Sequence, residues 1–315
     1  MRAAVVDRYG PPSVVRIATV PDPVPGRGEV RVRVVAASVN SGDARIRGAR
    51  FPAGLGVLAR LGLGLRRPRR RVLGIAFAGI VEAVGEGVHG VAVGDRVCGS
   101  AGMRMGAHAE LVVVPASAAV PVPAGVALED AVAVIFGGAT ALHYLHALGA
   151  VRAGERVLVI GASGAVGTMA VQLARIADAR VTAVCGAGNA ELVRSLGADE
   201  VVDHRVVDVA GLGPRFDVVL DAVGVLGART GRALLAPGGR LLLAVAGLGD
   251  LLAARGPVRA GSAPDRPEDV AALVDLLADG RLRAVTEAVL PLDRIAEAHE
   301  RVDSGRKVGA LLVVP

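Results

Sequence analysis

The sequence predicts an α/β protein in which a β-rich first third is followed by a doubly wound parallel sheet with crossover helices. Three observations carry that prediction. Near residue 129 the hydrophobic pattern changes from short Val-rich runs to alternating apolar strands and amphipathic helices. Gly161, Gly164 and Gly167 fall at three-residue intervals between an apolar strand and a helix. The 315 residues are 52% hydrophobic yet include only four Phe, two Tyr and no Trp, so aliphatic side chains must fill the cores. That length corresponds to about two domains at roughly 150 residues each. The 43 glycines have no three-residue period, which excludes a collagen-like chain, and the dense aliphatic runs exclude disorder.

Each element follows from local pattern. Residues 29–39 (EVRVRVVAASV) alternate charged and apolar side chains and then turn wholly apolar, as a strand does on passing from a half-exposed face into a core. Residues 79–99 read as strand, glycine turn, strand. From 157 onward, VLVIGA, VTAVC, EVVDH, FDVVLDAVG and GGRLLLAVA read as strands. AVGTMAVQLARIA and NAELVRSLGAD are the helices between the first three. Residues 267–280 form a capped helix ended by Gly280, and the last 31 residues return to strand, helix, strand. That final stretch is expected to rejoin the first domain.

The glycine triad is the most informative motif. A pyrophosphate can approach a helix N-terminus only where the backbone is unobstructed, and there it meets free N–H groups and the positive end of the helix dipole. The expected cradle is Gly161, Ala162, Ser163, Gly164, Ala165, Val166 and Gly167, with a second strand ending at Cys185 at the separation of a dinucleotide-binding unit. A turn that merely packs helix on strand is the alternative. After that second strand come Cys185, Gly186, Ala187, Gly188 and Asn189, with no carboxylate at the tip to repel a 2′-phosphate. NADPH is therefore expected over NADH, with Asn189, Arg194 and Arg205 as nearby donors.

The charge balance of 36 basic against 30 acidic residues gives a net +6. Lys307 is the one lysine; the arginines are scattered apart from Arg66, Arg67, Arg69, Arg70 and Arg71 around Pro68. Without one basic face and stacking aromatics, nucleic acid is not the expected partner. Two cysteines, Cys98 and Cys185, exclude a disulfide framework and a four-cysteine zinc site, and the start carries no secretory pattern, so a cytoplasmic location is expected. Residues 131–151 lack formal charge and match a membrane span in length, but Gly137, Gly138, Thr140, His143, Tyr144 and His146 favour a buried helix. His143 and His146 have metal-ligand spacing without a third ligand nearby, and Cys98 lacks a neighbouring base.

Several segments together resemble the medium-chain dehydrogenase/reductase superfamily: ASVNSGDARIRG (37–48), GIAFAGIVEAVGEGVHGVAVGDRVCG (74–99), FGGATALHYL (136–145), GASGAVG (161–167), LGADEVVDH (196–204) and PGGRLLL (237–243). The resemblance implies a GroES-like β-rich catalytic domain over 1–122 and 285–315, and a Rossmann domain over 123–284. Zinc members hold the metal at places that here carry Asn40, then Gly74, Ile75 and Ala76, then Phe136, none able to supply a thiolate or imidazole. The chain thus looks like the zinc-free quinone oxidoreductase branch, which implies NADPH-dependent reduction of quinones or α,β-unsaturated carbonyls and no metal ligands. It departs at Ala76, where that branch commonly has Asp.

The resemblance places Asn40 and Thr140 against nicotinamide and substrate, with Tyr144, one turn beyond Thr140, as a candidate proton donor. It adds His204, Val223 and Gly224 to the cofactor set, and pairing through the nucleotide domain, with GGRLLLAVA as a candidate edge strand for a homodimer. The bland readings are that Asn40 closes a turn with Asp43, Thr140 satisfies a backbone carbonyl and Tyr144 packs its ring. Residues 51–71 could form a flap over a hydrophobic substrate, an interfacial patch, a phosphate-binding surface or a solvated arginine turn. The remaining readings are an enoyl reductase of a biosynthetic pathway, and a non-catalytic NADPH-binding protein that contacts nucleic acid through Arg66–Arg71.

Overall fold

The structure, a computed structural model, describes residues 1–213 and 215–315. The strand Glu29–Ser38 organises the β-rich part. It pairs antiparallel with Ala76–Val84 on one side and, along its first half, with Leu111–Pro115 on the other. Val30, Val32 and Val34 point inward while Arg31 and Arg33 lie on the outer face, and Arg31 Nε donates to Glu82 on the neighbouring strand at 3.0 Å. The alternation of charge and valine is thus the alternation of the strand's two faces. The sheet runs Thr286–Pro291, Ala310–Val314, Glu29–Ser38, Ala76–Val84, Arg96–Ser100, Val120–Pro121. Its first two strands come from the C-terminal stretch, so the chain does return to where it began.

A second sheet has six parallel strands in the order Glu200–Asp203, Arg180–Cys185, Arg156–Ile160, Phe216–Asp221, Leu235–Leu243, Val258–Ala260. Numbered along the chain this is 3-2-1-4-5-6, the doubly wound order in which the two halves part between Arg156–Ile160 and Phe216–Asp221. The expectation that GGRLLLAVA forms an edge is corrected: Leu235–Leu243 is flanked on both sides, and the edge is the short strand Val258–Ala260. The helix Pro267–Ala278 starts with proline in its first turn rather than with a side-chain cap.

Between the sheets lies the helix Leu128–Leu142, continued by a π-helical turn His143–Leu148. By length and composition this is the one helix among the described residues that could cross a membrane, but it packs on strands of the β-rich sheet and on the helices Ala165–Ile176 and Pro267–Ala278. Its apolarity reflects burial on several sides. The paired glycines permit that fit: a Cβ on Gly137 would lie 2.1 Å from the Ala165 carbonyl oxygen, and one on Gly138 would lie 2.8 Å from Leu273 methyls. The helix is thereby pressed onto the start of Ala165–Ile176, where the glycine turn ends.

Within that turn the third glycine is structural. A Cβ on Gly167 would sit 2.1 Å from the Gly161 carbonyl oxygen, with no flexible side chain to give way, whereas one on Gly164 would meet the same oxygen at 3.4 Å. Gly167→Ala is expected to destabilise the protein by about 2–3 kcal/mol through overpacking, and Gly164→Ala to melt close to the parent. Thermal unfolding of the two variants checks this, and equal melting temperatures would refute it.

Candidate functional site

At the parting of the parallel sheet lies a cavity of about 900 Å³. One wall is the glycine turn. Gly161 has φ +79°, and a Cβ there would collide with Val223 at 2.3 Å. The helix Ala165–Ile176 begins with no side-chain cap on its first amides, the kind of helix end that can receive an anion. Asn189 donates from Nδ2 to Ser163 Oγ at 3.1 Å, fastening the end of the second strand to the turn. Opposite, the buried Asp221 carboxylate accepts from the amides of Val223, Gly224 and Leu226 at 2.9, 2.8 and 2.6 Å, fixing the loop that forms the far wall.

Of the residues expected at the cofactor, Gly161, Ser163, Gly164, Cys185, Gly186, Asn189, His204 and Val223 line the cavity. Ala162 and Gly167 are buried behind it and shape the turn, and Ala165 and Val166 form the helix start. Gly224 (φ +93°) packs on Val245. Arg205 lies over Gly186, where a Cβ would sit 2.9 Å from its Nη2, and it lines the cavity; Arg194 does not.

Sequence reasoning missed one wall. The C-terminal segment Gly305–Lys307 borders the cavity, and Gly309 N donates to Ser163 O at 2.8 Å, laying the β-rich sheet's own chain across the phosphate turn. Lys307 is half-buried there, and burial, aided by Arg301 and opposed by Glu287, pushes its pKa down to about 8. The available signal was its being the single lysine in the chain. With Arg205, Arg306 and Lys307 against Asp208, the lining is net cationic. The cavity's size and charge, beside a helix start without a side-chain cap, fit a phosphate-bearing dinucleotide.

Asn40 stands at the start of the helix Ser41–Gly48. Its Oδ1 accepts from Gly42 N and Asp43 N at 2.8 and 3.2 Å, and Asp43 returns a bond to Asn40 N, a complete capping box. The turn-closing reading is therefore correct, yet it leaves the buried Nδ2 with no partner. Asp43, fully buried, also accepts from Gly74 N at 3.1 Å and lies 3.9 Å from His108 Nε2; burial pushes its carboxyl pKa up. A Cβ on Gly42 would lie 3.4 Å from Ile75 Cδ1 and 3.7 Å from Phe136 Cε2, so Asn40, Ile75 and Phe136 do converge. An amide and two hydrocarbon side chains do not fit zinc, and among the described residues no three His, Cys, Asp or Glu side chains group as ligands.

Thr140 Oγ1 donates to Phe136 O at 2.8 Å, which leaves its oxygen free only to accept. Tyr144 is a correction. Its hydroxyl is shared between Leu243 O at 3.0 Å and Gly261 O at 2.6 Å, its ring is buried in the core of the parallel sheet, and burial pushes its pKa up to about 12. The packing role holds, and the proton-donor role is withdrawn. Cys98 is likewise an inert core residue, its thiol pushed up to about 12 by burial.

Two family profiles match the chain: "Alcohol dehydrogenase GroES-like domain" over residues 26–124 and "Zinc-binding dehydrogenase" over 196–313. A chloroplastic quinone oxidoreductase of Triphysaria versicolor is 29% identical over 100% of this chain and 98% of its own length. A quinone oxidoreductase structure from Coxiella burnetii superposes with TM-score 0.88 at 25% identity, covering 100% of this chain and 99% of that one. A mycocerosic acid synthase-like polyketide synthase of Mycobacterium tuberculosis is 37% identical over 69% of this chain, which spans only 10% of that much longer protein. The chain belongs to the medium-chain dehydrogenase/reductase superfamily, in its quinone oxidoreductase-like branch. That superfamily is one of oxidoreductases that use a nicotinamide cofactor.

Lys307 gives this site a pH signature. Its ammonium is charged below about pH 8 and neutral above, so affinity for a phosphate-bearing dinucleotide should fall as pH rises through 8. Lys307→Met should weaken binding roughly tenfold at pH 7, about 1.5 kcal/mol for one charge-assisted contact, and remove the pH dependence. Calorimetric titration at pH 6.5, 8 and 9.5 checks this; an unchanged profile in the variant would sink it.

Proposed function

We propose that this chain is an NADPH-dependent, zinc-independent reductase of quinones or α,β-unsaturated carbonyls, built as a β-rich catalytic domain (1–122 and 285–315) and a dinucleotide domain (123–284). The observation that carries the reading is Asn40 Nδ2: a buried, unpartnered donor beside Ile75 and Phe136, where a metal enzyme would hold its ion. The cofactor, when bound, supplies a hydride from C4 of its nicotinamide. Asn40 donates to the carbonyl oxygen on which negative charge gathers, Thr140 accepts from a neighbouring N–H, and Ile75 with Phe136 keeps water from the reacting carbons. A conjugated acceptor spreads the incoming charge itself, so one neutral donor suffices where a simple ketone would need a Lewis acid. The proton comes from solvent.

Arg205 over Gly186, with no carboxylate at the tip of the second strand, supports NADPH. Reduction of an enoyl thioester in a biosynthetic pathway is the second reading, favoured by the 37% identity to the polyketide synthase.

Asn40→Asp keeps the helix cap but replaces the donor with a carboxylate. It is expected to lower kcat about 100-fold or more, measured as NADPH oxidation with simple quinones and enones on folded protein, and to lower the melting temperature as a second carboxyl buried beside Asp43. Full turnover in that variant, or loss of parent activity to a chelator, would overturn the mechanism. Arg205→Ala should raise Kd for NADPH about tenfold, as loss of a charge-assisted contact of about 1.5 kcal/mol, and leave NADH within about twofold. Equal losses would point away from a 2′-phosphate contact.

A further inference from the structure

The segment after the Asn40 helix has an inverted construction. Residues 51–71 are held down by polar contacts while their apolar side chains face outward. Tyr9 Oη donates to Gly64 O at 2.6 Å, Arg69 donates from its amide to Leu63 O and from Nη1 to Gly62 O at 2.7 and 2.8 Å, and the Arg60 guanidinium lies 5.4 Å from the Tyr9 ring centre. Phe51 and Leu63 anchor the segment on the β-rich core. The helix Gly56–Leu63 nevertheless turns Val57 (74% exposed), Leu58 (62%) and Leu61 (53%) to solvent, and Leu65 (64%) is exposed just past the break at Gly64. Positions 57, 58 and 61 share one side of that helix.

Directly beside this face stand Arg66, Arg67 and Arg70, all exposed and, among the described residues, without an ion-pair partner, whereas Arg71 is held by Asp7. The root of the platform reaches the dinucleotide side, where Leu248 N donates to Ala53 O at 2.8 Å.

We propose that this platform docks the protein on an anionic lipid surface, Val57, Leu58, Leu61 and Leu65 entering the headgroup boundary while Arg66, Arg67 and Arg70 meet lipid phosphates. Charge complementarity selects the occupant: a convex aliphatic face flanked by free guanidinium groups matches a negatively charged bilayer. The purpose, though not the binding, rests on the quinone reading, since lipophilic quinones partition into bilayers and the docked platform would hold the Asn40 helix next to them.

The test is co-sedimentation of the full chain with unilamellar vesicles, without cofactor or substrate. Binding is expected to vesicles containing 30% phosphatidylglycerol, at least tenfold weaker to pure phosphatidylcholine, and strongly reduced in 0.5 M NaCl. Leu58→Ser with Leu61→Ser, and separately Arg66→Gln with Arg67→Gln and Arg70→Gln, should each weaken binding at least tenfold at unchanged melting temperature. No binding to the anionic vesicles, binding that survives both variants, or a shift of the serine variant from dimer to monomer on gel filtration would overturn the proposal, the last by assigning the face to a second copy. Turnover of a water-soluble benzoquinone reads the catalytic proposal separately, because its loss with vesicle binding intact would condemn that reading alone.

Discussion

The bond from Gly309 N to Ser163 O is the contact on which the site depends, because it lays a strand-leading segment of one sheet across the phosphate turn of the other. It is possible only at a glycine. Gly309 has φ +59°, and a Cβ there would lie 2.1 Å from the Val285 carbonyl oxygen, so Val285, Gly309 and Ser163 meet backbone to backbone. Ala310 N in turn donates to Val285 O at 2.7 Å and starts the strand that pairs with Glu29–Ser38. The two sheets are thus joined at the glycine turn. That join also places Lys307, three positions before Ser38's partner strand begins, on the cavity wall.

A second cross-link governs the other end. Asp43 accepts from Asn40 N and Gly74 N, tying the start of the Asn40 helix to the turn that carries Ile75. In a zinc relative the metal would join these same two segments. Here two hydrogen bonds to a buried carboxyl do so, and burial raises that carboxyl's pKa while His108 opposes the shift. Gly74 is the residue that allows the approach: its φ is +96°, and a Cβ would lie 2.6 Å from His108. The Asn40 amide is held by its oxygen, and its nitrogen alone is left to act.

What was legible in the sequence was what local geometry determines. The glycine triad could be read because Gly167 meets the Gly161 carbonyl six residues back and Gly161 turns through a positive φ, although its own neighbour is the distant Val223; the long apolar helix could be read as buried because Gly137 and Gly138 signal close packing. The failures involve partners far along the chain. Tyr144 was assigned by its distance from Thr140, but its hydroxyl is claimed by carbonyls 99 and 117 residues away. Lys307 gave no local pattern, since its place on the cavity depends on the Gly309–Ser163 crossing. GGRLLLAVA gave no hint that a three-residue strand would cover its free side.

The distribution of charge between the two ends follows from these constraints and bears on how a cofactor would lie. Arg205, Arg306 and Lys307 gather where the second strand and the C-terminal segment meet the glycine turn, whereas Asn40, outside the lining of that cavity, has Ile75 and Phe136 for neighbours. An anionic dinucleotide gains most with its phosphates at the cationic end, which leaves its neutral ring portion toward the apolar one. The donor at the Asn40 end is the unpartnered Nδ2 of its amide. In a water-poor setting a single oriented dipole acts more strongly than it would in solvent.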